Sequence, residues 1–402
     1  MKVFRFTRIG NLTVSKKRGI AITFITWVVI CSNTYTKQVW SIVYSFLGFV
    51  RASYAINERL HTFFLFNPSL GESRDDNLFD AMNGLEFIKA KQRGWAKRKK
   101  LELTGGTIPD RGEKNYLRNL PDNLFEELSG ENMRCYNSGD VNETRDSKTR
   151  LAKMKALHSS SAIVVNLFQY WQGKDICPIL NACNVWGRSC KPGQLLENVG
   201  SPSFHVVDVP HVPVDGTIRF EEHFEISEDK SRFPRTPNID VFIRVGLPDI
   251  AIESKFAEPY RGGKHEGLKQ KYIEELSFWK GLPNLYELAK EISPDDKKFR
   301  YLDAAQLIKH VLGLKRSFDK YNSNLGAGRH IKRGFHLLYL WYDVVGKDGF
   351  AHRREIEQFA EIARKDNVKF SHVTYQEVIM KLSKEFYEGN ESYIDYLTDR
   401  YL

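Results

Sequence analysis

The chain has 402 residues, 42% hydrophobic and 27% charged, with no low-complexity tract. That composition excludes a chain disordered throughout, and the length suits one large domain with an extension, or two domains of roughly 100 to 200 residues. A formal net charge of +10 favours polyanionic partners such as nucleic acid or acidic lipid.

The first 81 residues carry two apolar runs, GIAITFITWVVICS over 19–32 and VWSIVYSFLGFV over 39–50, behind Arg5, Arg8, Lys16, Lys17 and Arg18. Each run falls short of the roughly 20 residues that cross a bilayer comfortably. Three readings stay open: a signal-peptide core without a convincing cleavage site, a membrane anchor through residues 19–50 with its basic flank inside, or a start assigned too far upstream, with Met82 as the alternative. Five cysteines make no dense framework, and Cys177, Cys183 and Cys190 lack the paired spacing of a zinc site. A reducing, cytoplasmic setting with scattered thiols follows from that usage.

Lys89 to Arg118 is strongly basic, with Lys97, Arg98, Lys99 and Lys100 in one run and Trp95 and Tyr116 interleaved. Such a stretch can track a phosphate backbone and stack on a base; the alternative is a solvated arm. Residues 128–149 are polar and glycine-containing and predict a loop. SSSAIVVNLFQYW, 159–171, is either a strand or a buried helix capped by its serines.

From residue 217 the pattern turns to strands. TIRFEEHFEI, IDVFIRV and DIAIESKF, separated by turn residues, predict an antiparallel meander. YLDAAQLIKHVLGLKRSF, 301–318, has helical spacing, with Gln306 opposite the apolar stripe. FHLLYLWYDV, 335–344, is nearly continuously apolar, as a central strand buried on both faces would be. An amphipathic helix over 352–365, a strand over 368–373 and a helix opened by Thr374 and Glu377 complete an α/β sandwich around a mixed sheet.

In DIAIESKF, strand alternation places Ala251, Glu253 and Lys255 on one face. Charges beside an apolar strand are costly unless paired or metal-bound. Asp240 lies within the preceding apolar strand, and pairing of the two strands lets Asp240 and Glu253 converge. Two carboxylates with phosphate oxygens and water make an Mg²⁺ site, and Lys255 can hold an attacking water. The competing reading is a structural ion pair between Glu253 and Lys255.

Pro237-Asn238-Ile239-Asp240 followed by Glu253-Ser254-Lys255 resembles the PD-(D/E)XK signature of restriction-endonuclease-like nucleases. The order strand, strand, helix, strand is similar too, and IESKF with LLYLWYDV is similar to a bacterial restriction-endonuclease-like group. The resemblance covers roughly 155–402. It implies a restriction-endonuclease-like fold and an endonuclease acting on DNA, with restriction, repair and recombination roles all compatible. It also implies Mg²⁺ bound by Asp240 and Glu253, with Mn²⁺ as substitute, Lys255 assisting the nucleophile, and it admits a homodimer. Gln306 matches a glutamine often found near such sites. The helix acid of many members is missing from 158–172, so Glu221 is the candidate third metal ligand, and Glu258 a candidate supporting carboxylate. On this reading 1–81 is an extension, 82–154 a basic arm and linker, and 155–402 the nuclease domain. The non-catalytic alternative is a DNA-binding module of the same fold. ATP-driven translocation has no support, because no G-x-x-x-x-G-K-[ST] loop is present.

Overall fold

The three β-rich segments pair in chain order. In the computed structural model, which describes residues 83–138, 143–185, 217–245, 248–325 and 332–402, they form β3 (Ile218–His223), β4 (Asn238–Ile243) and β5 (Asp249–Lys255). Both pairings are antiparallel, with Phe220 opposite Val241 and Val241 opposite Ile252. Two short strands precede them, β1 (Leu103–Thr104) and β2 (Tyr116–Leu117), which pair with each other.

After β5 the chain crosses one face through α5 (Gln270–Glu274), α6 (Pro283–Glu291) and α7 (Ala304–Ser323), and re-enters the sheet as β6 (Phe335–Trp341). β6 lies parallel to β5 along its whole length, from Asp249 opposite Phe335 to Lys255 opposite Trp341. A second crossover through α8 (Lys347–Lys365) adds β7 (Phe370–Thr374), again parallel. The sheet order is β3-β4-β5-β6-β7, a five-stranded mixed sheet.

Alternation along the central strands fills two core layers. Ile250, Ile252, Leu338 and Leu340 pack on one side, and Ala251, Leu337, Tyr339 and Trp341 on the other. β6 is therefore apolar on both faces because both are covered. The first layer is closed by α3 (Ser160–Phe168), α9 (Tyr375–Glu385) and α10 (Glu391–Tyr401), the second by α6, α7 and α8. The serine-led segment is a helix: the Ser159 side chain accepts from the Ala162 amide, and Ala162 to Phe168 are all buried.

The structure corrects two expectations before residue 150. The basic stretch forms α1 (Gly84–Arg98), and Trp95 is buried, with the Arg400 guanidinium 4.1 Å above its ring. Trp95 therefore cannot stack on a base. Tyr116 is half-buried, its ring edge-on to His158. Residues 130–137 of the expected loop form α2 (Gly130–Asn137), capped by the Ser129 side chain. All described residues belong to one compact unit, and Ile88, Leu120 and Tyr136 enter the same core layer as β5. A further short helix, α4 (Cys177–Ala182), follows α3. Cys135 and Cys183 are free thiols, whereas Cys177 is disulfide-bonded rather than a lone thiol. Among the described residues no helix is long and apolar enough to cross a membrane, and the apolar runs of 19–50 lie outside them.

Arg400 ties the early segment to the sheet domain. Its guanidinium donates to the Asn123 carbonyl at 2.7 Å, to Asn123 Oδ1 at 2.5 Å and to Gln92 Oε1 at 3.1 Å. Removing it leaves several buried acceptors unsatisfied. Arg400→Ala is expected to lower unfolding stability by about 3 kcal/mol in denaturant titration. An effect below about 1 kcal/mol would show that the network is not a stabilising tie.

Candidate active site

The site begins where the β4–β5 ladder stops. Regular pairing runs from Ile243–Ile250 to Val241–Ile252, and the next residues along are Asp240 and Glu253. Ile239 and Val241, two apart, fall in opposite core layers, so β4 rotates at Asp240. The Asp240 side chain takes over the ladder: its Oδ2 accepts from the Ser254 amide at 2.7 Å. On the other face of β5, Ser254 Oγ lies 2.6 Å from Tyr375 Oη, which anchors the strand between Glu253 and Lys255.

Glu253 is almost fully buried, and its Oε1 accepts from Lys255 Nζ at 2.5 Å. The same ammonium donates to Gln306 Oε1 on α7 at 2.9 Å. Glu258, in the turn after β5, accepts from the Phe256 amide, and its charge helps hold Lys255 protonated. Glu221 sits on β3 with φ +54°, and the β3–β4 pairs on either side of it omit it. A left-handed conformation at a non-glycine residue costs roughly 1–3 kcal/mol and is held only by its surroundings. Here Asn238, next but one to Asp240, donates to the Glu221 carboxylate. The structure thus brings Glu221, Asp240, Glu253, Lys255 and Gln306 into one neighbourhood.

The charges in it do not balance. Burial, then the Glu253 and Glu221 carboxylates, push Asp240 well above the usual carboxylate range. Burial, with Glu143 and Glu253 adding to it, pushes Glu221 up to about 7 despite the Asn238 hydrogen bond. Burial acts on Glu253 in the same sense, but Lys255 and His310 outweigh it and hold that carboxyl down to about 2. Burial would lower Lys255, yet Glu253, Asp240 and Glu258 together raise it, so it is an ammonium throughout the neutral range.

A family model described as Restriction Endonuclease associating with ARP matches residues 89–402. The chain belongs to that family. The match reaches from α1 to the last helix, taking in the segment that the sequence offered as arm and linker. Neither a curated protein nor a solved structure matches the chain.

In this restriction-endonuclease family member, a cavity of about 660 Å³ is lined by partners of the acids rather than by the acids themselves. Asn238, Gln306 and His310 line it, so it borders the partners of Glu221, Lys255 and Glu253. Arg235, Lys264, Lys269, Lys271 and Lys309 line it as well, against the acidic Glu266 and Asp303. Sequence reasoning missed these cations because they are scattered over two loops and two helices, without forming a run. It found Lys97, Arg98, Lys99 and Lys100 instead, which are exposed at the end of α1, with Arg98 and Lys99 paired to Asp399 at 3.1 and 3.0 Å.

Asp240 and Glu221 retain protons that the unfolded chain releases. The stability they contribute is complete below the unfolded value, 4.5 for Glu221, and lost as pH rises through about 7. Without divalent cations the protein is expected to melt at a lower temperature at pH 8 than at pH 5, and Glu221→Gln to flatten that difference. Thermal unfolding in chelator checks both; a variant with the full pH dependence would remove Glu221 as its source.

Proposed function

We propose that this chain is a Mg²⁺-dependent endonuclease of the PD-(D/E)XK type that hydrolyses DNA phosphodiester bonds in a restriction role. The observation that carries the reading is the surplus of buried carboxylate around one ammonium. Glu253 is balanced by Lys255, while burial, Glu253 and Glu221 drive Asp240 towards protonation, and burial, Glu143 and Glu253 do the same to Glu221.

The donor set fits a hard divalent cation: the side chains are oxygen donors, and Glu253 Oε2 is buried without a hydrogen-bond partner. Among the described residues no group of three or more His, Cys, Asp and Glu side chains is arranged to hold a metal ion by itself. Mg²⁺ is commonly held by one or two carboxylates and completes its shell with water and substrate phosphate. Asp240 and Glu253 would be those two, with Glu221 as the reserve carboxylate; Mn²⁺ would substitute. When bound, the cation lowers the pKa of water and shields charge on the phosphoryl group.

The chain's own residues supply the rest. Lys255 is protonated, so it cannot serve as a base; it donates hydrogen bonds that hold the water and stabilise the negative charge developing on the phosphoryl oxygens. Gln306 fixes the ammonium from α7. Water attacks phosphorus, the bond to one bridging oxygen breaks, and products carry a phosphate and a hydroxyl. Arg235, Lys264 and Lys269 around the cavity are placed to meet the flanking phosphates.

Cleavage of supercoiled and linear DNA with Mg²⁺ tests this. Glu253→Ala and Lys255→Ala are each expected to lower cleavage by about 10³-fold while the protein stays folded and binds DNA. A wild type that binds DNA but never cuts with Mg²⁺ or Mn²⁺ would leave a binding module of the same fold. Replacing Lys264 and Lys269 together by Ala is expected to weaken DNA binding across sequences and to reduce the salt slope by about 1 per lost contact. An unchanged slope would place the DNA elsewhere on the surface.

A further inference from the structure

α7 presents a second side chain to the acids. His310 follows Gln306 by four residues, so the two project from the same side of the helix. Gln306 holds Lys255, and His310 Nε2 lies 2.9 Å from Glu253 Oε2, with both side chains 1% exposed. Nε2 and Oε2 stand at ion-pair distance without an aligned hydrogen bond, so the imidazole reaches the carboxylate without fixing it. His310 Nδ1 has no partner either, and such atoms are few in protein interiors. His310 also lines the basic cavity, and a buried imidazole set against the motif carboxylate there points to a role in the site rather than to packing.

We propose that His310 is a positioning residue for Glu253, which extends the nuclease reading and rests on it. Oε1 of Glu253 is already fixed by Lys255. A carboxylate held at one oxygen can still swing about its last torsion, which is a soft one. A small turn of the imidazole lets Nε2–H donate to Oε2 and fixes the second oxygen, leaving its other lone pair for a cation. Gln306 and His310 then act as a two-point clamp, one helical turn apart, on the two charged residues of the β5 motif. Hydrogen bonds of this kind to a ligating carboxylate typically change metal affinity or activity by about 10–100-fold when removed.

The test uses the full chain as wild type, His310→Leu, His310→Gln and Glu253→Ala. Leucine fills the space without a donor, and the glutamine amide can donate to the same oxygen; His310→Ala replaces His310→Leu if leucine is not accommodated. Mn²⁺ binding is measured directly by electron paramagnetic resonance titration without DNA, beside Mg²⁺-dependent cleavage and thermal unfolding. His310→Leu is expected to stay folded and to lose about 10–100-fold in Mn²⁺ affinity and in cleavage, with His310→Gln recovering most of both. Wild-type Mn²⁺ affinity in His310→Leu overturns the inference alone, as does equal loss in both histidine variants, which would make the imidazole nitrogen itself a ligand. A wild type that neither binds Mn²⁺ nor cuts, like Glu253→Ala, overturns the nuclease reading and this inference with it.

Discussion

The site depends on one contact, the ion pair between Glu253 and Lys255 two residues apart on β5. Withdrawing two charges from water costs several kcal/mol per ion, and their attraction offsets that cost only with close geometry and further hydrogen bonds. The 2.5 Å separation supplies the geometry, and Gln306 supplies the next hydrogen bond. Strand geometry makes the spacing possible, since residues two apart share a face about 6 to 7 Å along the strand, within reach of two long side chains. The pair in turn needs a rigid strand. β5 has a hydrogen-bonded neighbour on each side, β4 and β6, and the parallel pairing to β6 runs through Lys255 to the strand's end.

The surrounding helices follow from that requirement. β6 is buried on both faces, so helices must cover both, and the crossover from β5 to β6 places α7 against the face that carries Glu253 and Lys255. The α7 stripe of Leu307, Ile308, Val311 and Leu312 docks the helix, and Gln306 and His310 at its margin reach the charges. The polar contacts are therefore positioned by apolar burial on the same element. At roughly 25 cal/mol per Å² of apolar surface, that burial dominates the docking energy.

Much of this was legible in the sequence because it is local. Period-two alternation in DIAIESKF set the faces, and the continuous apolar run of β6 set its central position. Asp240 stood out as an acid inside an apolar strand. What was not legible is what depends on distant partners. α1 reads as a basic arm because its buried face is slight: Ile88, Gln92, Trp95 and Ala96. Gln92 is satisfied by Arg400, 308 residues away, and no local pattern reports that bond. The left-handed backbone at Glu221 is likewise imposed by tertiary packing on a residue type that rarely adopts it. The cavity cations are joined only by folding, so a search for charge runs found the end of α1 instead.

A structural ion pair alone would account for Glu253 and Lys255. It does not account for Asp240 and Glu221. A fold that needed only neutral packing at those positions would be as stable or more so with apolar residues of similar size, since buried ionic groups seldom improve on them. Instead the chain keeps two further carboxylates whose pKa values are raised by burial and by neighbouring acids, and holds one of them on strained backbone. Strongly perturbed groups with neighbours that line a cavity, as Asn238 does beside Glu221 and Asp240, are the pattern of functional sites rather than of packing. The excess also has the sign that the neighbouring surface lacks: buried carboxylates meet a rim of Arg235, Lys264 and Lys269. A polyanion is drawn to that rim, which suits the nuclease-type function that the family match supports.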